Sequence, residues 1–343
     1  WSLGMSTAVI FGGTGFIGSF LAEQLLRDNT YEQVILADIK PICDERFSTF
    51  LEPYLANERL KFIYCDVRNN IADQISIMDT ITFVANLAAI HREPGHEAYE
   101  YYETNIMGAE NVCNWCEEVN CSDLLFTSSI ALYGLAEELR DENSTPVPLT
   151  PYGGSKLTAE KIHIGWQKSS HNNQLTIVRP GVVFGPGEGG NVSRLIKAVL
   201  AGYFIYMGNQ ETRKAGIYVK ELVQAMMWVH QKNNKSGKKF TLFNMSMELA
   251  PSMKEYVDAI LHVSGKKNRV ISVPFILLYP VSFIVVFFAS ILRVNQPISP
   301  VRIKKLIKSN YIDPRYLKDN NYEYKYTLVD AFTDWKKQTP EEW

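Results

Sequence analysis

The stretch that decides the fold is Ala8-Val-Ile-Phe-Gly-Gly-Thr-Gly-Phe-Ile-Gly18. Its first four residues are apolar and predict a buried strand, and apolar residues at helical spacing follow from Phe16. Three glycines, Gly12, Gly15 and Gly18, let the backbone turn tightly and approach a pyrophosphate at the N-terminus of that helix. Because the glycines stand directly between a predicted strand and a predicted helix, the stretch predicts a dinucleotide-binding turn.

Further short apolar runs follow at intervals that leave room for helices. They are Val34–Ala37, Lys61–Tyr64, Thr82–Ala85, Leu124–Thr127 and Leu175–Val178, with long helices predicted over Ala98–Val119 and from Tyr152. This alternation predicts an α/β fold with a doubly wound parallel sheet of the Rossmann type. We expect residues 5–180 to form the NAD-binding domain. Residues 181–343 are expected to form mainly a smaller C-terminal substrate-binding lobe, with segments that return to the first domain.

Composition excludes several classes of protein. The 343 residues are 46% hydrophobic and 21% charged, with a formal net charge of -2 and no lysine- or arginine-rich tract that predicts nucleic-acid binding. The cysteine count of five is odd, which favours a reduced, cytoplasmic protein. Cys113 and Cys116 form a CxxC inside a predicted helix with no second pair to complete a zinc site, so we predict a structural role and no metal.

Asp38 ends the second predicted strand, 20 residues after Gly18. A carboxylate at this position accepts hydrogen bonds from the adenosine ribose hydroxyls and repels a 2′-phosphate, which favours NAD over NADP. Lys40 keeps a second interpretation open, in which a cation meets that phosphate. The same sheet edge predicts further cofactor contacts from the residues that follow other strands and begin the first helix: Phe16, Ile17, Asp66, Val67, Leu87, Ala88 and Ala89.

Tyr152-Gly-Gly-Ser-Lys156 carries the clearest chemical signal in the chain. Residues i and i+4 share one helix face, so the Lys156 ammonium is expected near the Tyr152 phenol. Together with the positive ring of an oxidised nicotinamide, it would lower the pKa of Tyr152 and let the phenolate take a proton from a substrate hydroxyl. Ser129, at the end of the fifth predicted strand, would hydrogen-bond that same substrate oxygen.

With these residues in this order, the sequence resembles an extended short-chain dehydrogenase/reductase of the NAD-dependent epimerase/dehydratase family. The matching segments run from Val9 to about Ala225, and beyond the glycine turn they include Asn86-Leu-Ala-Ala89, Thr104-Asn105-Ile-Met-Gly108, Phe126-Thr-Ser-Ser129-Ile-Ala-Leu-Tyr133-Gly134 and Arg179-Pro180-Gly-Val-Val183-Phe-Gly-Pro186. The resemblance implies that Asn105 contacts the cofactor and that Pro180 to Val183 border the nicotinamide. It also implies a homodimer formed through the 98–119 helix and the helix of Tyr152.

The residues after Ser129 decide between reactions of this family. Members that eliminate water resemble one another in carrying acidic residues there, whereas this chain has Ile130 and Ala131. Dehydration is therefore disfavoured, and an NAD-dependent nucleotide-sugar epimerase is predicted, which removes a hydride to give a transient keto-sugar and then returns it. The alternative is a 3β-hydroxysteroid-dehydrogenase-like or other NAD-dependent alcohol oxidoreductase. A non-catalytic cofactor-sensing protein is less favoured, because the Tyr152 and Lys156 pair is kept.

Three residues of the second half are candidates for substrate binding. By resemblance, Asn191 stands where similar epimerases bring a donor to the nucleotide diphosphate, although an asparagine there is equally an N-cap. Lys214 stands where those enzymes carry an arginine, and its neighbour Arg213 is able to supply the missing bidentate fork. Val182 replaces an asparagine that many relatives place near the sugar. These departures leave the identity of the sugar open.

Val270–Leu292 is a run of 23 residues without a charge. Pro274 and Pro280 interrupt it, so a buried helix of the substrate lobe is the first interpretation and a membrane span is disfavoured. Peripheral membrane contact is the alternative, since Arg293 and the later cations Arg302, Lys304, Lys305 and Lys308 are able to reach lipid headgroups. Such contact would favour an apolar, sterol-like substrate.

Overall fold

The computed structural model describes residues 6–42, 45–76, 80–93, 95–134, 138–248, 250–274 and 308–343. Most of the uncharged run, along with Cys43, lies outside these ranges, and so do Arg293, Arg302, Lys304 and Lys305. In the described ranges no helix combines the length and apolarity that a membrane crossing requires. The interior-helix and membrane-contact interpretations of residues 270–292 therefore both stay predictions.

A seven-stranded sheet forms the centre of the molecule, and all of its strand pairs are parallel. The order across the sheet is β3-β2-β1-β4-β5-β6-β10. Its strands are β1 (Thr7–Phe11), β2 (Gln33–Asp38), β3 (Leu60–Tyr64), β4 (Ile81–Asn86), β5 (Asp123–Thr127), β6 (Gln174–Pro180) and β10 (Phe240–Met245). The doubly wound arrangement predicted from the alternation is confirmed, and each of the six predicted strands is present.

Helices cover both faces of this sheet. The described helices are α1 (Phe16–Arg27), α2 (Glu45–Ala56), α3 (Ala98–Glu118), α4 (Pro151–Ser169), α5 (Asn191–Leu200), α6 (Val219–Ser236), α7 (Met253–Ser264), α8 (Arg315–Asp319) and α9 (Leu328–Gln338). Of these, α5 and α9 pack on α7. Leu21 and Leu25 of α1 pack with Met226 of α6 in one hydrophobic cluster. The helices α3 and α4 bury their apolar residues in a second cluster against the opposite face.

The CxxC of α3 belongs to this second cluster. Cys113 and Cys116 are buried there beside Trp115, which contacts Phe11 edge to face with ring centroids 5.3 Å apart. Both thiols are free, and burial raises the pKa of Cys113 to about 12. Thiols held protonated in this way pack as small apolar side chains.

The second half of the chain returns to the sheet and also builds two small sheets beside it. Strand β10 pairs with β6 and extends the main sheet beyond residue 180. Strands β7 (Val182–Phe184) and β9 (Gly216–Tyr218) form one small parallel pair, and β8 (Ile205–Met207) and β11 (Ile271–Val273) form another. Phe184 of β7 packs against Trp335 of α9, and both residues belong to the hydrophobic cluster that also contains Leu21 of α1. The division at residue 180 stays a prediction.

Candidate active site

The glycine turn joins β1 to α1 through a backbone that no larger residue fits. Gly12 has φ +71, and a Cβ there would lie 2.7 Å from the amide nitrogen of Ala88. A Cβ on Gly18 would lie 2.6 Å from the carbonyl oxygen of Gly12. Gly15 is the N-cap of α1 and gives no side-chain cap, so the first amides of the helix are left for a ligand. Such a cradle fits the pyrophosphate of a dinucleotide.

Asp38 ends β2 beside this turn. Its Oδ2 accepts from the amide of Thr14 at 3.2 Å and its Oδ1 accepts from the amide of Lys40 at 3.3 Å. The Thr14 hydroxyl donates to the Lys40 carbonyl at 2.9 Å, while the Lys40 side chain is exposed. The carboxylate is thus oriented from both sides next to the phosphate cradle, as the ribose interpretation requires.

Two more strand ends contribute backbone along the same edge. Leu87 donates its amide to the Phe11 carbonyl at 2.9 Å, and Ala88 packs on Gly12, so the Leu87–Ala89 segment borders the cradle. Asp66 is buried and forms an ion pair with Arg68 at 2.7 Å, and hydrogen bonds from Arg68 hold the pKa of that carboxyl below its usual range. The Val67 carbonyl accepts from Asn111 of α3 at 2.7 Å, which fixes this turn on the helix.

Ser129 begins a 3-10 turn at the end of β5. Its Oγ accepts from the amide of Ala131 at 3.1 Å, and the turn ends at Gly134, whose φ is +71. A Cβ at Gly134 would lie 2.5 Å from the Val147 carbonyl oxygen, so the tight turn excludes a side chain there. Ile130 is buried in a small apolar cluster, and Ser129 is therefore followed by aliphatic residues, not by an acid.

Tyr152 lies in the first turn of α4, which Thr150 caps by accepting from the amide of Gly153 at 3.2 Å. Burial raises the pKa of Tyr152 to about 12, and a hydrogen bond between its phenol and the Ser129 hydroxyl opposes the rise. The two predicted catalytic side chains are therefore in contact. The lowered phenol pKa predicted from the sequence depends on the bound cofactor and stays a prediction.

Lys156 is one turn further along α4 and is 2% exposed. Its Nζ lies 4.6 Å from the centroid of the Phe126 ring, which stabilises the cation. Burial lowers the pKa of Lys156 to about 7, and the charge of Glu160 acts in the opposite direction. The ammonium thus depends on neighbouring groups to keep its charge at neutral pH.

A buried network missed in the sequence analysis extends from that carboxylate. Glu160 accepts from Arg179 in a bidentate pair at 2.8 and 2.7 Å, and the two residues are 2% and 5% exposed. Arg179 also donates to the Tyr133 hydroxyl at 2.7 Å, which donates to Asn244 of β10 at 2.8 Å. The i, i+4 spacing of Glu160 from Lys156 was the available signal.

Asn105 of α3 is buried and already hydrogen-bonded. Its Oδ1 accepts from the Ile90 amide at 2.9 Å, and its Nδ2 donates to the Ile90 carbonyl at 3.2 Å and to Ser155 Oγ at 2.8 Å. The side chain therefore ties the segment after β4 to helix α4. Its predicted contact with the cofactor stays a prediction.

The substrate candidates lie in the second half of the chain. Gly190, not Asn191, is the N-cap of α5, and the Asn191 side chain accepts from Arg194 at 2.6 Å. The N-cap interpretation of Asn191 is wrong, because the glycine before it takes that position. The Glu188 carboxylate instead accepts a hydrogen bond from the amide of Ser193, in the first turn of α5, at 2.9 Å.

Arg213 and Lys214 sit on the segment that leads into β9. Arg213 donates to the Ala250 carbonyl at 2.7 Å, and Lys214 donates to the Lys308 carbonyl at 2.6 Å. Burial lowers the pKa of Lys214 to about 8. Pro180 is the last residue of β6, and Val183 is the middle residue of β7. The backbone of Arg213 and Lys214 thus lies beside residues 308–310.

Comparisons with known proteins agree with this geometry. A sequence profile described as the NAD dependent epimerase/dehydratase family matches residues 8–245. The chain is 27% identical over 327 residues to an N-acetyl-alpha-D-glucosaminyl-diphospho-ditrans,octacis-undecaprenol 4-epimerase of Escherichia coli O157:H7, covering 93% of this chain and 91% of that protein. It is 24% identical to a decarboxylating sterol-4-alpha-carboxylate 3-dehydrogenase of Candida albicans, with 90% and 89% covered.

Solved structures share the fold. The UDP-glucuronic acid 4-epimerase of Bacillus cereus in complex with NAD matches with a TM-score of 0.73 and 21% sequence identity. The match covers 97% of this chain and 99% of that one. The similarity of fold therefore extends beyond the main sheet to the second half of the chain.

Proposed function

This chain belongs to the NAD dependent epimerase/dehydratase family, and from that premise we propose that it is a nucleotide-sugar epimerase. The observation that carries the proposal is the contact between Tyr152 and Ser129, with aliphatic Ile130 and Ala131 after the serine. An acid–base phenol beside a serine that is followed by two aliphatic residues, where an eliminating enzyme would carry acids, supports hydride removal and return without loss of water. The E. coli relative is named as a 4-epimerase of a sugar diphosphate, which supports the same reaction type.

NAD fits the residues at the carboxyl edge of the sheet. The glycine turn and the N-terminus of α1 would hold its pyrophosphate, and Asp38 would accept from its ribose. We propose Phe16, Ile17, Asp66, Val67, Leu87, Ala88, Ala89, Asn105, Pro180 and Val183 as further contacts. The chemistry that NAD supplies when bound is acceptance of a hydride from the carbon that bears a hydroxyl, and its return.

The protein's own residues move the proton. Tyr152 takes the proton of the sugar hydroxyl as the carbon is oxidised to a ketone, and gives it back when the ketone is reduced on its other face. Ser129 hydrogen-bonds the same oxygen and holds it against the phenol. Lys156, as a buried cation on the same helix, favours the ionised form of Tyr152.

Arg213 and Lys214 are proposed to bind the diphosphate that links the sugar to its carrier. A guanidinium and an ammonium in one corner balance much of the negative charge of a diphosphate. Asn191, at the first position of α5, is proposed as a third contact because the amides at a helix start also attract phosphate. The first candidate for the carrier is a nucleoside, as the name of the similar UDP-glucuronic acid 4-epimerase indicates for that enzyme.

A second candidate keeps the reaction and changes the carrier. The E. coli relative matches nearly the whole chain, and its name describes a substrate whose sugar is linked to undecaprenol through a diphosphate. Such a substrate requires peripheral membrane contact, which is the alternative interpretation of the uncharged run over 270–292. The sterol dehydrogenase similarity favours a third candidate, net oxidation of an apolar alcohol.

The test is incubation of the purified protein with UDP-, GDP- and dTDP-sugars, with the products resolved by chromatography. We expect interconversion of two epimers of one UDP-sugar without net consumption of added NAD, because the hydride is returned. The Tyr152→Phe variant is the control for contaminating activity. Stoichiometric NADH formation from a sterol-like alcohol, without epimer formation, would contradict the proposal.

We also propose a homodimer through α3 and α4. The outward side of α3 carries Glu103, Glu110 and Glu117 at heptad spacing, and the outward side of α4 carries Lys161 and Lys168. A twofold axis would place the acidic side of each α3 against the basic side of the partner's α4. Sedimentation should give a dimer that dissociates in Glu110→Lys and re-forms when Lys161→Glu is added. A monomeric unmodified protein would refute this.

A further inference from the structure

Exposed cations and apolar side chains lie side by side where α7 ends and β11 begins. Lys266, Lys267 and Arg269 are exposed in the turn after α7, and Ile271 of β11 is 55% exposed. Tyr203, which follows α5, is 68% exposed. We call these five residues the turn surface. The turn surface thus combines three cations with one exposed aromatic and one exposed aliphatic side chain.

The turn surface is held in place by hydrogen bonds to neighbouring elements. Gly265, in the left-handed conformation, ends α7 with its amide donating to the Leu261 carbonyl at 3.0 Å. Lys266 Nζ donates to the Leu200 carbonyl at 2.9 Å, and Asn268 Nδ2 donates to the Val199 carbonyl at 3.0 Å. These bonds cap the C-terminus of α5. The turn surface therefore has a defined shape.

The charge of this part of the chain has one sign only. Between Asp258 and Asp313 the sequence has eight lysines and arginines and no aspartate or glutamate. In the part of the chain that the structure describes, no carboxylate forms an ion pair with Lys267 or Arg269. The positive charge of the turn surface is thus available to an external anion.

Two connections lead from the turn surface to the candidate substrate site. Helix α5 runs from the turn to Asn191 and spans about 15 Å for its ten residues. The chain leaves the turn surface at Pro274 and is described again from Lys308, whose carbonyl accepts from Lys214. A partner bound at the turn surface would therefore lie within about one helix length of the proposed diphosphate site.

We propose that the turn surface docks the protein on an anionic phospholipid bilayer. Lys267 and Arg269 would contact the headgroup phosphates, while Tyr203 and Ile271 enter the interface between headgroups and acyl chains. The adjoining uncharged run supports a membrane over a nucleic acid, which would need polar contacts at these apolar positions. That docking brings the candidate site to a lipid-linked sugar rests on the second candidate of the proposed function, whereas docking itself does not.

The test is cosedimentation of the full chain with phosphatidylcholine vesicles that contain phosphatidylglycerol or lack it. We expect binding only to the anionic vesicles, and weaker binding at high salt. Lys267→Gln with Arg269→Gln should lower the partition coefficient about 25-fold, since each cation near an anionic surface contributes about fivefold. Tyr203→Ser should lower it further without altering the salt dependence.

Matched controls separate docking from folding and from catalysis. Lys61→Gln with Lys235→Gln removes two exposed charges from β3 and from α6, and it should bind vesicles as the unmodified protein does. All variants should keep the same thermal midpoint and the same activity on a soluble UDP-sugar. The proposal is overturned if anionic vesicles do not bind the protein, or if the control pair weakens binding as much as the turn-surface pair. Binding to polyuridylate in place of vesicles also overturns it.

Discussion

Removing either partner of the Glu160–Arg179 ion pair should destabilise the protein by unequal amounts. Glu160→Gln leaves two buried cations, Arg179 and Lys156, without a nearby anion. A guanidinium does not release its proton in a protein, whereas a carboxyl left alone takes one up. We therefore expect Glu160→Gln to lower the free energy of unfolding by about 3–5 kcal/mol and Arg179→Met by about 3 kcal/mol, the lower end of the range for one partner of a buried pair.

The double variant tests this reasoning most directly. Glu160→Gln with Arg179→Met removes both charges, so its cost should fall below the sum of the single costs by about 1–3 kcal/mol. Urea denaturation followed by tryptophan fluorescence measures all three values. The control is Asp258→Asn, which breaks an exposed pair with Lys254 at 2.5 Å and should cost less than about 0.5 kcal/mol. The buried ion pair would be refuted as a stabilising contact if Glu160→Gln cost no more than this control. It would also be refuted if the costs of the two single variants simply added in the double variant.

Three shorter predictions follow from single side chains. Tyr152→Phe should keep its affinity for NAD, measured by calorimetry. Its turnover in a product assay should fall about 10²–10⁴-fold. Retained turnover would contradict the proposed role of Tyr152. Asp38→Ala should weaken NAD about 10–100-fold but leave NADP nearly unchanged in calorimetric titration, since a charged hydrogen bond is lost only with NAD. Burial raises the pKa of Asp123 from 3.8 to about 7. Asp123 thus binds a proton on folding, and the free-energy cost of burying its carboxyl increases as pH rises from 3.8 to about 7. Asp123→Asn should gain stability over the unmodified protein between pH 4 and pH 7 in urea titrations; a constant difference contradicts this.

Local signals predicted the sheet and the two elements that carry the candidate catalytic residues. Strands such as Val34–Ala37 are short apolar runs bounded by polar residues, and the structure extends this one by a single residue at each end. The helix predicted from Tyr152 begins one residue earlier, at Pro151, whose fixed φ suits the first turn, and Thr150 caps its amides. These features depend on neighbours within four residues of one another.

The network around Lys156 depends on contacts that the sequence does not reveal. Arg179 reaches Glu160 across 19 positions, and Tyr133 reaches Asn244 across 111. Only the pairing of β6 with β5 and β10 brings these side chains together. Spacing predicted that Lys156 is near Tyr152, but not that burial would lower the pKa of that lysine to about 7. Asn191 was similarly ambiguous between a diphosphate contact and an N-cap, and the structure gives the N-cap position to Gly190.

The contact of Gly12 with Ala88 has a consequence for how long the cofactor stays bound. The backbones of the turn and of the segment after β4 touch without room for a single methyl group, so the cradle is closely packed on that side. A preorganised cradle loses little conformational entropy on association, so more of the interaction energy appears as slow dissociation. An enzyme that gives back the hydride it takes has no need to exchange its dinucleotide between turnovers. Long residence is therefore an advantage here, whereas in a dehydrogenase it would limit the rate.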